Sequence, residues 1–568
     1  MRSSPLLLAL PLALALAACG GRQDAASDAD TLPDAQAAHA FSPDITAEDF
    51  DELVKTLASD AFGGRAPGTE GEERTVEYIK AQFQRIGLQP GGDNNDWFQT
   101  VPMIETTADA STVLRLTTGG GSRELAFGDD MVIGTRSGQT EVNVADSELV
   151  FVGYGVDAPE QNWNDYAGLD VTGKTVVILV NDPGFHAGDE TLFGGNRMTY
   201  YGRWTYKFEE AARKGAAAAL IVHDTPGASY GWDVVRNSWS GAQFDLRAED
   251  DPEPRLPAQG WITGEVATQL FADAGLDLNE QIRAANTRGF RPVPLKASVS
   301  FDLRSTIAEK SSRNVIGILP GTEAPDESIL YLAHWDHLGT HEGDGEDLIY
   351  NGAIDNATGV AGIIEIAEAF ATSAEKPKRS LVFLAVTLEE SGLLGSKYYV
   401  AQPSMDLART VGVINLDAMS VAGPSRDFVV TGLGNSEMED ILKTIADGQG
   451  RTLVEEGNPA GGFYFRSDHF NFVKAGVPAL YAKGGNDLVD GGAAAGKAAT
   501  DDYAARYHQP SDEYNPDWNL AGVVQDLQAL YGVGRVLADD TARWPNWYEG
   551  NAFKATRDAQ RAEAGGAP

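Results

Sequence analysis

The sequence predicts an α/β fold: a mostly parallel, mixed sheet covered by helices, with a second, smaller unit inserted into the chain. Three observations carry this. Beyond Leu295, strand-type and helix-type segments alternate, which is the pattern of a sheet built from parallel crossovers. Leu381-Val-Phe-Leu-Ala-Val is apolar throughout, as a strand buried on both faces requires. The chain has 568 residues, more than one simple core accommodates, so two folded units are expected.

From the start of the chain, Met1-Arg2 and the apolar run Leu6 to Ala18 have the form of a secretory signal, too short for a mature membrane span. Leu16-Ala17-Ala18-Cys19-Gly20 resembles the lipobox of bacterial lipoproteins. The resemblance implies a signal peptide over 1–18, lipidation of Cys19, and an exported lipoprotein anchored in the outer membrane of a Gram-negative cell, facing the periplasm. Cys19 is the only cysteine, so no intramolecular disulfide and no cysteine ligand is available. Residues 19–44 read as a flexible tether.

The N-terminal part of the main folded unit is expected over 45–146. Thr46-Ala-Glu-Asp has the form of a capping box opening a helix over Phe50 to Leu57. Val76, Ile79, Phe83 and Ile86 have helical spacing, and Gly87 is a stop. The strands Leu149 to Val156 and Thr175 to Val180, a helix over Tyr206 to Lys214 and the strand Ala219 to Val222 follow. This order resembles a protease-associated domain, placed at 147–290. The catalytic part is expected over 291–553, with strands at Ser328 to Ala333, Leu381 to Val386, Val411 to Leu416 and Val477 to Tyr481. Its helices are placed at Ala357 to Thr372, Leu393 to Val400 and Leu520 to Leu537. Residues 554–568 read as a flexible tail.

The 44 basic and 83 acidic side chains leave a net charge of -39. Such a surface repels phosphate backbones, which argues against nucleic-acid binding, and it attracts cations.

Five fragments occur in order: His334-Trp-Asp336-His337, Gly352-Ala-Ile-Asp355, Glu389-Glu390, Asn415-Leu-Asp417 and His508-Gln-Pro-Ser-Asp512. Each falls at an expected strand end or in the following loop. Imidazoles and carboxylates without a thiolate suit divalent zinc, and their number suffices for two ions. Asp336 is near enough to His334 to fix its tautomer, while His337 competes with His334 as ligand. Asp355 precedes a helix, and its two oxygens can bridge two ions. At the end of the Leu381 strand a turn can direct one glutamate to metal and the other to water.

This set resembles the co-catalytic zinc aminopeptidase family that includes aminopeptidase Y, glutamate carboxypeptidase and glutaminyl cyclase. The resemblance implies two Zn2+ ions per chain, one on His334 and Asp417 and the other on Glu390 and His508, bridged by Asp355. It further implies Glu389 as catalytic base and Asp336 as support for His334. Phe465-Arg-Ser-Asp468-His469 resembles the family's substrate-side loop, and Tyr464 beside it is a candidate oxyanion donor. The function implied is an aminopeptidase acting on peptides. A carboxypeptidase needs a cation for the terminal carboxylate, for which Arg466 and Lys483 are candidates. A glutaminyl cyclase would use one zinc, and a second metal at His334 argues against it.

Overall fold

The computed structural model describes residues 41–251, 253–341, 343 and 347–563. The signal segment, Cys19 and most of the tether lie outside the described residues.

The parallel heart of the main sheet is the row Arg379–Val386, Ala324–His334, Thr410–Asn415, Ala479–Gly484. The first of these is buried over its whole length, as its apolar composition requires. Antiparallel strands close both flanks. Val293–Leu319 pairs with Arg379–Val386 and with Phe98–Ala108. Asp427–Val430 pairs antiparallel with Ala479–Gly484 and parallel with Thr452–Glu455.

Helices Ala47–Leu57, Glu70–Ile86, Thr358–Thr372 and Ala521–Asp539 bury their apolar stripes on one face, where Phe50, Phe83, Ile363 and Leu527 meet Tyr331 and Phe383. The opposite face carries Val382, Leu384 and Val413 under Phe470, Phe472 and Trp547. The Thr46 hydroxyl caps the first helix by accepting from the Asp49 amide. Gly87 ends the second in the left-handed region, at φ 88°. No helix among the described residues is long and apolar enough to cross a membrane.

Four sequence boundaries differ from the observed elements. The inserted unit's sheet already contains Val113–Thr118, Gly121–Ala126 and Met131–Gly134 besides Glu141–Phe151, Thr175–Leu179, Ala218–Val222 and Ala258–Ile262. Its start therefore lies near residue 113 rather than 147. Its far end is not a break at all. The 27-residue strand Val293–Leu319 pairs first with Glu141–Phe151 and then with Phe98–Ala108, so one strand serves both sheets.

At the N-terminal edge, order begins before residue 45: the Ser42 amide donates to Glu368 Oε1 at 3.1 Å. At the other end, Lys554–Glu563 is a helix, not a flexible tail. Arg557, 1 % exposed, donates to the Thr410 carbonyl at 2.9 Å and faces the Trp544 ring.

Candidate metal centre

The parallel strands run the same way, so the residues just past their carboxyl ends converge. His334 is the last residue of its strand. Glu389 and Glu390 follow the Arg379–Val386 strand, and Asp417 follows Thr410–Asn415. Asp355 sits in the turn before helix Thr358–Thr372. His508 arrives from a distant loop with φ 56°. The structure brings all six together.

Asp355 stands in the middle. Its Oδ1 lies 3.2 Å from His334 Nε2, which is 3.6 Å from Asp417 Oδ1. Its Oδ2 lies 3.3 Å from His508 Nε2, which is 3.1 Å from Glu390 Oε2. One oxygen thus faces each half of the site. Donors about 2.05 Å from a tetrahedral zinc ion stand about 3.3 Å from each other. These separations fit that geometry. Burial works to lower the His508 pKa, but Asp355 and Glu390 outweigh it and hold it at about 10. Carboxylates packed this closely call for positive charge, as protons or as metal.

His334, Asp355 and Asp417 form one group able to hold a metal ion, and His337, Asp355 and Glu390 form a second. His337 and His508 thus compete for Glu390. His337 Nδ1 is 2.6 Å from Glu390 Oε1, too close for two donors on one ion and right for a hydrogen bond. His508 Nε2 keeps the spacing of a fellow ligand. We therefore read His337 as the residue that orients Glu390.

Glu389 has a different setting from its neighbour. Burial pushes its carboxyl well above the usual carboxylate range; His334 opposes this, and Glu390 and Asp417 add to it. Among the described residues no imidazole is paired with it at the distances that mark Glu390.

Asp336 does not hold His334 through its carboxylate, whose nearest oxygen is 3.8 Å from Nδ1. The backbone carbonyl of Asp336 takes the ring at 3.1 Å. Its carboxylate is turned to the amides of Glu389 and Glu390, at 3.1 and 3.4 Å. The bend after His334 puts the carbonyl nearer the ring, and the glutamate turn leaves its own N–H groups to be satisfied.

Tyr464 is buried and packs edge-on against Phe465 and His469; burial, then Glu439, pushes its hydroxyl well up. Tyr507 is the tyrosine in contact with a candidate ligand. Its ring stacks on His508 at 3.8 Å. Tyr507 is 49 % exposed; partial burial at its hydroxyl end, then Asp355, Glu390, Glu389 and Asp417, push the hydroxyl up. The signal was available in sequence: Tyr507 immediately precedes a candidate ligand.

The Phe465–His469 segment lies mainly behind the site. Ser467 donates to Asp417 Oδ2 at 2.6 Å, and Ser467, Asp468 and His469 are buried. Lys483 faces inward as well, donating to the Ala418 carbonyl at 2.7 Å, so it is not free to meet a substrate carboxylate.

Two supports, Arg65 and the Asp512 that ends the fifth fragment, take their roles from the fold. Arg65, 1 % exposed, donates to the carbonyls of Trp335 at 2.9 Å, Leu57 at 3.0 Å, Asn351 at 2.5 Å and Gly352 at 2.8 Å. It thereby ties the loop after His334 to the loop before Asp355. Asp512, fully buried, accepts the Asp355 amide at 3.1 Å.

Residues 314–532 match the model of Peptidase family M28. The matched segment contains all six converging residues.

Aminopeptidase NAALADL1 of Mus musculus is 31 % identical over 137 residues, which are 23 % of this chain and 17 % of that protein. A probable zinc metalloprotease of Pyrenophora teres f. teres is 33 % identical over 205 residues, 35 % of this chain and 37 % of that protein. A probable glutamate carboxypeptidase of Arthroderma benhamiae is 30 % identical over 238 residues, 39 % of this chain and 29 % of that protein. The alignments thus span well under half the length of these curated relatives. Among solved structures, an aminopeptidase from Aneurinibacillus sp. strain AM-1 is similar with a TM-score of 0.47 and 22 % identity, covering 87 % of this chain and 94 % of that one.

Proposed function

We propose that the chain is a zinc-dependent exopeptidase that removes N-terminal residues from peptides. The observation that carries this is the central Asp355, with one oxygen toward His334 and Asp417 and the other toward His508 and Glu390. His334, Asp417, Asp355, Glu390 and His508 would hold two zinc ions. When bound, zinc polarises the scissile carbonyl and lowers the pKa of water to near neutrality.

The chain's own residues do the rest. Glu389 accepts the proton of the attacking water and returns it to the leaving amine. Tyr507, rather than Tyr464, donates from its hydroxyl to the oxygen that gains charge. His337 and Ser467 hold Glu390 and Asp417 in orientation. The excess of carboxylate around the centre favours a free substrate amine over a carboxylate.

One feature favours a second reading, a carboxypeptidase. Arg203 of the inserted unit and Arg466 keep buried N–H groups without partners. Burial, and then the neighbouring charge of Arg466, lowers Arg203 to about 9. Two such cations, of which Arg466 neighbours Tyr507, would suit a terminal carboxylate.

A panel of one peptide in free, N-acetylated and C-amidated forms separates the readings. The aminopeptidase reading expects cleavage of the free and amidated forms only. Cleavage of the acetylated form, with the amidated form resistant, establishes the carboxypeptidase instead.

A further inference from the structure

A cavity of about 430 Å3 lies between the inserted unit and the peptidase part. Its walls are fixed by a close junction. The Met198 amide donates to the Pro459 carbonyl at 3.1 Å. Gly462, at φ 62°, touches Met198 so closely that a Cβ would stand 2.6 Å from its sulfur.

Phe193 and Tyr201 from the inserted unit and Tyr464 from the peptidase line this space, together with Glu160, Glu190 and Glu456. The two inserted-unit rings meet edge to face at 5.7 Å. Arg197 is the one basic residue in the lining, and it is already paired with Glu455. The balance of the cavity is therefore negative, over aromatic walls.

A second observation points to a ligand. Tyr464 is 4 % exposed and its hydroxyl has no partner. A buried hydroxyl without a partner costs free energy unless something else completes it. Tyr464 packs over Gly432, whose Cβ would meet the ring at 2.4 Å, and Gly432 is itself part of the cavity wall.

We propose that this cavity binds an alkylammonium or guanidinium group, brought by a free basic amino acid or by a basic side chain of a peptide. Aromatic faces attract such cations through their quadrupoles, and Glu160, Glu190 and Glu456 supply the charge. The volume accommodates one amino-acid residue, with Tyr464 in its wall. The peptide source rests on the exopeptidase reading above; the binding itself does not.

Calorimetric titration of the zinc-loaded mature chain tests this. The probes are L-arginine, L-citrulline and an N-acetylated, C-amidated peptide with one central arginine, which an exopeptidase of either direction cannot trim. L-Arginine should bind saturably and L-citrulline, its uncharged likeness, about tenfold more weakly. Glu190→Gln and Glu456→Gln should each weaken arginine binding several-fold. Glu190 is exposed, so its variant should keep the wild-type melting temperature. Tyr464→Phe should weaken binding as well. Tighter binding of the peptide than of L-arginine identifies an extended-substrate subsite, and the reverse identifies an amino-acid site. Equal binding of arginine and citrulline overturns the proposal, as does arginine binding untouched by both glutamate variants. Intact turnover with no arginine binding rejects this site alone, and arginine binding without turnover rejects the peptidase reading alone.

Discussion

Glu389 and Glu390 are neighbours in sequence with opposite surroundings. Glu390 is gripped by His337 and faces His508, while Glu389 has no such grip. Glu389→Gln should keep its metal and lose turnover by roughly a hundredfold or more, because an amide cannot accept the proton. Glu390→Gln should lose zinc affinity and recover some activity in excess zinc. Bound zinc and kcat for both variants check this, and loss of metal in Glu389→Gln alone would reverse the assignment. His469 gives a pH signature. Burial, with Asp417 opposing, holds its pKa down at about 3, below the ordinary value of about 6.5. The unfolded chain therefore binds the extra proton between those values, and stability falls as pH drops from about 6.5 towards 3. The slope from this one group is about 1.4 kcal/mol per pH unit. Urea unfolding at several pH values should show a shallower dependence in His469→Gln than in wild type. Equal slopes would mean that His469 is not buried neutral.

At the scale of elements, much was legible in the sequence. The spacing of Val76, Ile79, Phe83 and Ile86 marks the Glu70–Ile86 helix, and the unbroken apolar run marks the strand Arg379–Val386. The convergence of the candidate ligands was legible because parallel strands deliver their ends to one edge, so charged residues just past apolar runs stand out. What was not legible depends on partners distant in the chain. Nothing in Phe62-Gly-Gly-Arg65 announces that its guanidinium will collect carbonyls from residues 57, 335, 351 and 352. The Lys554–Glu563 helix is polar overall, and the docking of Arg557, Gln560 and Arg561 makes it part of the fold. Arg65→Lys should lose roughly 2–4 kcal/mol of stability, since one ammonium cannot span those acceptors. It should also weaken zinc binding, because the loops carrying His334 and Asp355 are released. Arg557→Ala should cost about 1–3 kcal/mol with turnover per folded molecule unchanged. Chemical denaturation and zinc titration of both variants check these outcomes, and unchanged zinc affinity in Arg65→Lys would restrict Arg65 to a purely structural part.

At the scale of the whole molecule, the long strand Val293–Leu319 joins two sheets, and the main sheet presents the candidate ligands at one edge. The inserted unit contributes Arg203 and the Phe193–Tyr201 wall, so substrate choice is expected to depend on it while the hydrolytic centre does not. The central claim is that Asp355 stands between two metal positions. It is tested most directly by zinc bound per chain in the dialysed protein, measured beside turnover. The account expects about two ions per chain, loss of both zinc and activity on chelation, and return of activity as the second ion is restored. One ion per chain at full turnover would contradict it.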